Sequence, residues 1–413
     1  MKPFNGKKKR VLLSAFECNP FVGSDAEVGW QWARQLSKRH FDVTVLTRKT
    51  HRAEIEQAVA NTGDCATVRF IYLDIKWLYL TTSLINPRNH IYYYFWQLRA
   101  YFAAVALHRQ QAFDLIHHVT WVSFRQPSFM GLVGAPLYFG PVAGGDEIPD
   151  GYTQSFAMKQ RRVEFFRGIL NAFVRFDPLM WLTYATAKKV FFTSSAHLGR
   201  VPVFVKNKAQ VELAIGCDTA DTNSTVDKIS TTRRGNRLLF VGRFLGLKGM
   251  DIGLEIFARI RQTRPDVTLT IIGDGEEHQR WKDKAVLLGV DHAIEWLGWL
   301  AKADVLKLYA EFDVFFFPSM RDSGGFVILE ALQQGLPVVS FKLGGPGVIV
   351  NNTCGVAVEA LPDINQTIRT YADAVLSVLD TAKNDRQLSD RCQQRAHFFE
   401  WDALINRLYK DIE

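Results

Sequence analysis

Two series of short apolar runs, separated within each series by stretches of helical periodicity, constrain this chain more than any other feature. The first series is RVLLSAF (10–16), DVTVLT (42–47), VRFIYLDI (68–75), DLIHHVT (114–120), PLYFGPV (136–142) and KVFFTSS (189–195). The second begins near Asn236 with RLLFVGR and continues through VTLTIIGDG, AIEWLGWL, DVFFFP and LPVVSF. Runs of this length, rich in β-branched and aromatic residues, read as buried strands, and strands alternating with helices build a parallel sheet covered on both faces. Between the series lies TADTNSTVDKISTTRRGN (219–236), too polar to build a core. The expected class is α/β, with two Rossmann-like lobes facing across a cleft. The first spans residues 1–200 and the second 236–396, joined by a hinge over 201–235. The amphipathic segment within 397–413 is expected to pack back on the first lobe.

Bulk properties narrow the class. At 413 residues, 47% apolar and 22% charged, the chain can fill two globular cores. No apolar stretch reaches bilayer-spanning length. A basic run ends at Arg10, but the apolar segment after it is interrupted by Glu17 and Asn19, which reads as a first strand rather than a signal peptide. Five scattered cysteines without a Cys-x-x-Cys pair speak against a disulfide frame or zinc site and fit a reducing cytoplasm. Charge is uneven: residues 1–225 hold 27 Lys and Arg against 17 Asp and Glu, and residues 226–413 hold 23 against 25. A basic first half suits an anionic membrane surface or a phosphorylated acceptor, or is simply solvated surface charge. Nucleic acid is not expected, since no RNP, zinc-finger or basic-zipper pattern is present.

The chemistry concentrates in PSMRDSGGFVILEALQQGLPVVSFKLGGPG (318–347), which sets Asp322 and Glu330 around a Gly-Gly pair that reads as a helix start. A strand running through a glycine turn into a helix leaves free N–H groups at the positive end of the helix dipole, a ready phosphate site. Two flanking carboxylates suit neutral sugar hydroxyls. Together they point to a sugar nucleotide. Arg243 and Lys248 follow the strand RLLFV, at the strand edge where open α/β sheets bind ligands, and two cations there could neutralise a diphosphate. Taken singly, each is more ordinarily a surface or ion-pairing residue. The Gly-x-Gly turn of IIGDGEE and the loop GSDAEVG are weak signals alone, although Gly23 would let a ligand approach the first strand-to-helix turn. His117 and His118 end a strand and must point to opposite faces.

This combination resembles the retaining glycosyltransferases of family 4, the "group 1" set with the GT-B fold. The matching stretches are VGRFLGLKG, IIGDGEE, WLGW and FPSMRDSGGFVILEALQQGLPVV, over about 236–350; in the first lobe GSDAEVGW and HHVT are similar to one branch that makes bacterial polysaccharides. The resemblance implies catalytic or donor-handling roles for His118, Arg243, Lys248, Asp322 and Glu330. Arg243 and Lys248 would hold the donor diphosphate, Glu330 the ribose and Asp322 the sugar hydroxyls. His118, with His117 as the fallback, would touch the sugar. It also implies donor contacts at Gly23, Gly242, Gly273, Gly298, Gly324, Gly325, Phe326 and Val327. Asp322 is one methylene shorter than the family's usual glutamate, and Gly324 stands where an aromatic is common. The hinge reads AIGCD in place of an NGID-like sequence.

The implied reaction is transfer of a glycosyl group from a nucleotide sugar, UDP by default, to a hydroxyl with retained configuration. It needs no cofactor and no metal. The acceptor would be a glycan or lipid-linked glycan, in bacterial surface polysaccharide synthesis. The expected location is cytoplasmic, with peripheral association to the inner membrane face. Two basic, aromatic segments, 76–102 and 159–176, suit an anionic membrane; a core-facing helix with a solvated basic side is the equal alternative for the second. A nicotinamide oxidoreductase is disfavoured because neither glycine turn fits Gly-x-Gly-x-x-Gly. A sugar-nucleotide epimerase and a non-catalytic glycan- or lipid-binding protein remain as rivals.

Overall fold

The computed structural model describes residues 8–23, 25–39, 41–75, 90–154, 156, 158–218 and 235–412. Part of the hinge tract (219–234) and the first half of the 76–102 segment, with Lys76 and Arg88, lie outside the described residues. The chain forms two compact units. One comprises Met1–Gly145, Ile169–Ile215 and Leu404–Glu413, and the other Asp146–Gly168 and Gly216–Ala403.

The first unit holds a seven-stranded parallel sheet in the order β3-β2-β1-β4-β5-β6-β7. Its strands are β1 (Lys9–Ala15), β2 (Phe41–Arg48), β3 (Arg69–Leu73), β4 (Leu115–Thr120), β5 (Leu137–Val142), β6 (Ala187–Phe192) and β7 (Ala209–Val211). β7 lies within the stretch read as hinge from the sequence and forms the edge of this sheet. One face is covered by the His90–Gln110 helix, whose Tyr92, Tyr93, Trp96, Ala100 and Ala104 recur at helical spacing and pack over Leu12, Ile116 and Phe139. On the opposite face the Asp25–Ser37 helix buries Trp32 and Leu36, and Trp32 donates its indole N–H to the Ala214 carbonyl at 2.9 Å. The C-terminal residues close this unit: Arg407 makes a bidentate pair with Glu212, both contacts at 2.9 Å.

The second unit carries a six-stranded parallel sheet, β10-β9-β8-β11-β12-β13. The strands are β8 (Arg237–Val241), β9 (Thr268–Ile272), β10 (Ile294–Gly298), β11 (Val314–Phe317), β12 (Val338–Phe341) and β13 (Gly355–Val358). The Met250–Thr263 helix buries Leu254, Ile256, Phe257 and Ile260, and stops just ahead of Pro265. In both sheets chain order reverses beside the first strand of the series, between β1 and β4 and between β8 and β11. Loops leaving the carboxyl ends of those strand pairs therefore diverge and leave a crevice.

Candidate functional site

In the second unit the crevice at the β8/β11 switch is built by two loops that strand pairing forces together, since Val314 and Phe315 of β11 lie opposite Leu238 and Leu239 of β8. Beyond β8 run Gly242 to Gly249, and beyond β11 Pro318 to Gly325. They are tied by the Met320 N–H, which donates to the Leu247 carbonyl at 3.0 Å. Across this junction Lys248 Nζ meets Asp322 Oδ2 at 2.5 Å, both side chains largely buried. The other Asp322 oxygen accepts from the N–H groups of Gly324 (3.1 Å) and Gly325 (2.8 Å). Burial acts to raise the Asp322 pKa, but the Lys248 charge and hydrogen bond, with the two N–H donors, outweigh it and hold the carboxyl below its ordinary value. Through these bonds Asp322 organises the loop and its lysine.

Gly325 has φ of +64°, a conformation that favours glycine, and a Cβ there would lie 2.4 Å from Ile349 Cδ1. The Phe326–Gln333 helix starts from this turn. The N–H groups of Phe326 and Val327 donate to no described group, as the first turn of a helix requires. One turn further, Glu330 Oε1 meets Lys302 Nζ at 2.9 Å, and Oε2 accepts from the Tyr309 hydroxyl at 3.4 Å. Lys302 and Tyr309 are positioning residues the sequence reading missed; only the fold brings them to Glu330. Arg243 is exposed and makes no ion pair with a described residue. This leaves its guanidinium available at the strand end.

The glycine turns serve packing as well as access. Gly242 donates to the Ile272 carbonyl at 3.0 Å and Gly273 to the Gly298 carbonyl at 2.8 Å, so the ends of β8, β9 and β10 are laced together. Beside these loops lies a cavity of about 430 Å³ whose walls include Gln160, Val163, Glu164, Leu247, Glu277 and Arg321. Glu164 and Arg321 are joined there in a largely buried ion pair.

In the first unit, the two histidines of β4 separate as alternation requires. His117 is fully used: Nδ1 accepts from the Tyr409 hydroxyl at 2.7 Å and Nε2 lies against the Gly140 carbonyl, which can only accept, so Nε2 carries the proton. His118 stacks on Phe139, and its ring nitrogens are buried beside the Trp121 backbone. Burial pushes His117 down to about 4 and His118 to about 3, so both are neutral at physiological pH. Gly23 precedes the Asp25–Ser37 helix, and a Cβ there would meet the Glu27 carboxylate at 3.9 Å, an ordinary contact.

A further cluster at the strand ends of this unit went unread in the sequence. Glu17 pairs with Arg48 and with His51 Nε2 (2.9 Å), and the Arg48 guanidinium lies 4.5 Å from the centre of the Phe16 ring. Nearby, burial and then the Glu17 charge push the Asp25 carboxyl up to about 7, against hydrogen bonds from the Val122 backbone and the Trp121 side chain. The positional signal was available: Glu17 and Arg48 stand at the carboxyl ends of neighbouring strands.

Residues 223–396 match the family model described as glycosyl transferases group 1. The matched span, about two fifths of the chain, contains both loops of the β8/β11 crevice. Among curated proteins, the glycogen synthase of Mycobacterium tuberculosis is 31% identical over 169 residues, which is 40% of this chain and 40% of that protein. The chain thus spans well under half the length of such relatives. Likeness to solved structures extends over nearly the whole chain. The lipopolysaccharide outer core galactosyltransferase WaaB matches with a TM-score of 0.62 at 11% identity, covering 98% of this chain and 100% of that one. Anabaena Alr3699/HepE, solved in complex with UDP, matches with a TM-score of 0.58 at 16% identity, covering 98% and 99%. At these identities the likeness is one of fold, and the fold is the GT-B one, α/β with two Rossmann-like units.

Proposed function

We propose that the chain is a retaining glycosyltransferase that moves a sugar from a nucleotide-sugar donor to a hydroxyl of a glycan or lipid-linked glycan. The observation that carries this reading is the β8/β11 crevice. There a lysine–carboxylate pair, an unpaired arginine, two unused helix N–H groups and a second carboxylate converge inside the span that matches the family model. Cleavage of the donor bond builds negative charge on the departing diphosphate. Arg243, Lys248 and the N–H groups of Phe326 and Val327 would stabilise it in place. Glu330, steadied by Lys302 and Tyr309, would accept the ribose hydroxyls. Asp322 would hold Lys248 in position and share its remaining lone pairs with a sugar hydroxyl. Of the two histidines, His118 is the proposed sugar contact, because both nitrogens of His117 are spent on Tyr409 and Gly140.

Retention would proceed on the front face, with a departing phosphate oxygen taking the acceptor proton. Arg243 and Lys248 would both face the leaving group, so we propose turnover without a metal; activity abolished by a chelator and restored by added metal would overturn that part. UDP is the proposed carrier, and bacterial surface polysaccharide synthesis at the cytoplasmic membrane face the proposed setting. Among the described residues no helix is long and apolar enough to cross a membrane.

The deciding experiment is a thermal-shift series with UDP, GDP, ADP, CMP, dTDP and their sugars, on wild type, Arg243→Ala and Glu330→Ala. A ligand that binds only the folded state raises its apparent stability, by about 2.7 kcal/mol at a hundredfold excess over Kd. Stabilisation by one nucleotide family, lost in both variants, is expected. Arg243→Ala should keep the unliganded melting temperature, because the side chain is exposed and unpaired. Silence with every nucleotide would overturn the transferase reading.

A further inference from the structure

In the Met158–Phe173 helix the usual arrangement of a surface helix is reversed. At about 100° per residue, Met158, Phe165, Phe166, Ile169, Leu170 and Phe173 fall within an arc of about 140°. All six are exposed, Phe165 at 67%, Phe166 at 62% and Phe173 at 64%. The opposite arc carries Gln160, Glu164 and Asn171, and it is this polar side that is covered. Asn171 is 0% exposed, Glu164 is held by Arg321, and Gln160 lines the cavity beside Leu247. A helix of a water-facing surface turns its apolar stripe inward. The core-facing alternative for this segment is therefore ruled out. A contiguous apolar surface of this kind marks an interaction site.

Charge selects the occupant. Residues 158–181 hold five Lys and Arg against two acids, Glu164 and Asp177. Glu164 is paired inward, and Asp177 caps the next helix, accepting from the Leu179 N–H at 2.8 Å. The outward face thus presents phenylalanines with Arg161, Arg162 and Arg175, all exposed, so the cations outnumber the one acid, Asp177, that is not paired inward. Phe176 and Trp181 extend it, the Trp181 indole N–H donating to the Arg175 carbonyl at 2.7 Å. A second copy meeting the same face about a two-fold axis would set these arginines against their own counterparts. An anionic bilayer satisfies both the aromatic and the cationic components.

We propose that this helix docks on the anionic surface of a lipid bilayer, with Phe165, Phe166 and Phe173 at the acyl boundary and the arginines among the lipid phosphates. The inference deepens the lipid-linked acceptor part of the proposed function but stands on the helix alone.

The test is sedimentation of the full chain with mixed phosphatidylglycerol–phosphatidylcholine vesicles and with pure phosphatidylcholine vesicles. Binding to the mixed vesicles is expected, weaker on pure phosphatidylcholine and at about 0.5 M salt. The triple change Phe165→Ser, Phe166→Ser, Phe173→Ser should lower the partition coefficient by roughly tenfold or more. Its melting temperature and nucleotide response should match wild type, because all three rings are already exposed. Wild type that stays in the supernatant with mixed vesicles overturns the proposal. So does a concentration-dependent dimer that the triple change abolishes without any vesicle binding, which would assign the face to a second copy. Vesicle binding in a protein that answers to no nucleotide would leave this inference standing while the transferase reading failed.

Discussion

Asp25 opens a helix, where the dipole ordinarily favours a carboxylate, yet burial and the neighbouring Glu17 push it up to about 7. The folded state therefore binds the extra proton between about pH 4 and pH 7. The stability this gives is fully present below the unfolded pKa and is lost as pH rises through 7. Asp25→Asn should abolish that dependence. Wild type minus variant stability, from denaturant midpoints across this range, should fall with rising pH by on the order of 2 kcal/mol, discounted for the water that reaches a half-buried carboxyl. Asp322 has the opposite sign: its lowered pKa gives stability that is present above the ordinary carboxylate value and lost as pH falls through the folded one. Asp322→Ala leaves Lys248 and two N–H groups without their acceptor, and should cost about 2–3 kcal/mol by the same measurement. The places of Arg243 and Lys248 past a strand end, and of Glu330 one turn into a helix, were legible in the sequence. Asp322's engagement with Lys248 was not, since a 74-residue separation carries no local signal of contact.

The eleven strands read from the sequence recur in the structure, with ends moved by a few residues. Two were unread, β7 and β13, of three and four residues. Neither AQV nor GVAV carries a run of bulky apolar residues, and pairing to an existing strand is what makes them strands. The turn after β9 shows why glycine spacing alone was a weak signal. Gly273 has φ of +134°, and a Cβ on it would stand 1.9 Å from the Gly242 carbonyl oxygen. Gly273→Ala should destabilise the second unit by at least about 3 kcal/mol through backbone strain and collision. Its nucleotide response should fall with it. A variant as stable as wild type, by urea midpoint, would mean that the loops can part without loss.

The two units have separate cores, and the C-terminal residues serve the first. Tyr409, far along the chain, donates to His117 in the middle of that unit's sheet. Tyr409→Phe removes the donor from a buried ring nitrogen and should cost about 1–2 kcal/mol, seen by calorimetry as a lowered transition for the first unit alone. Alternation of strand and helix, and the polar tract between the two series, follow from composition and period, so the α/β class with two Rossmann-like units was determined by the sequence itself. The phosphate-suited glycine turn was also local, since a strand, two glycines and an apolar helix are contiguous. Tertiary structure decided what depends on distant partners or on which side of an element is covered. It gave His117 its partners, stacked His118 on Phe139, locked Asp322 to Lys248, and brought Lys302 and Tyr309 to Glu330. It also turned the phenylalanines of the Met158–Phe173 helix outward. A helical wheel shows that such a helix has two faces, but which face meets the protein is fixed by what the rest of the chain places against it.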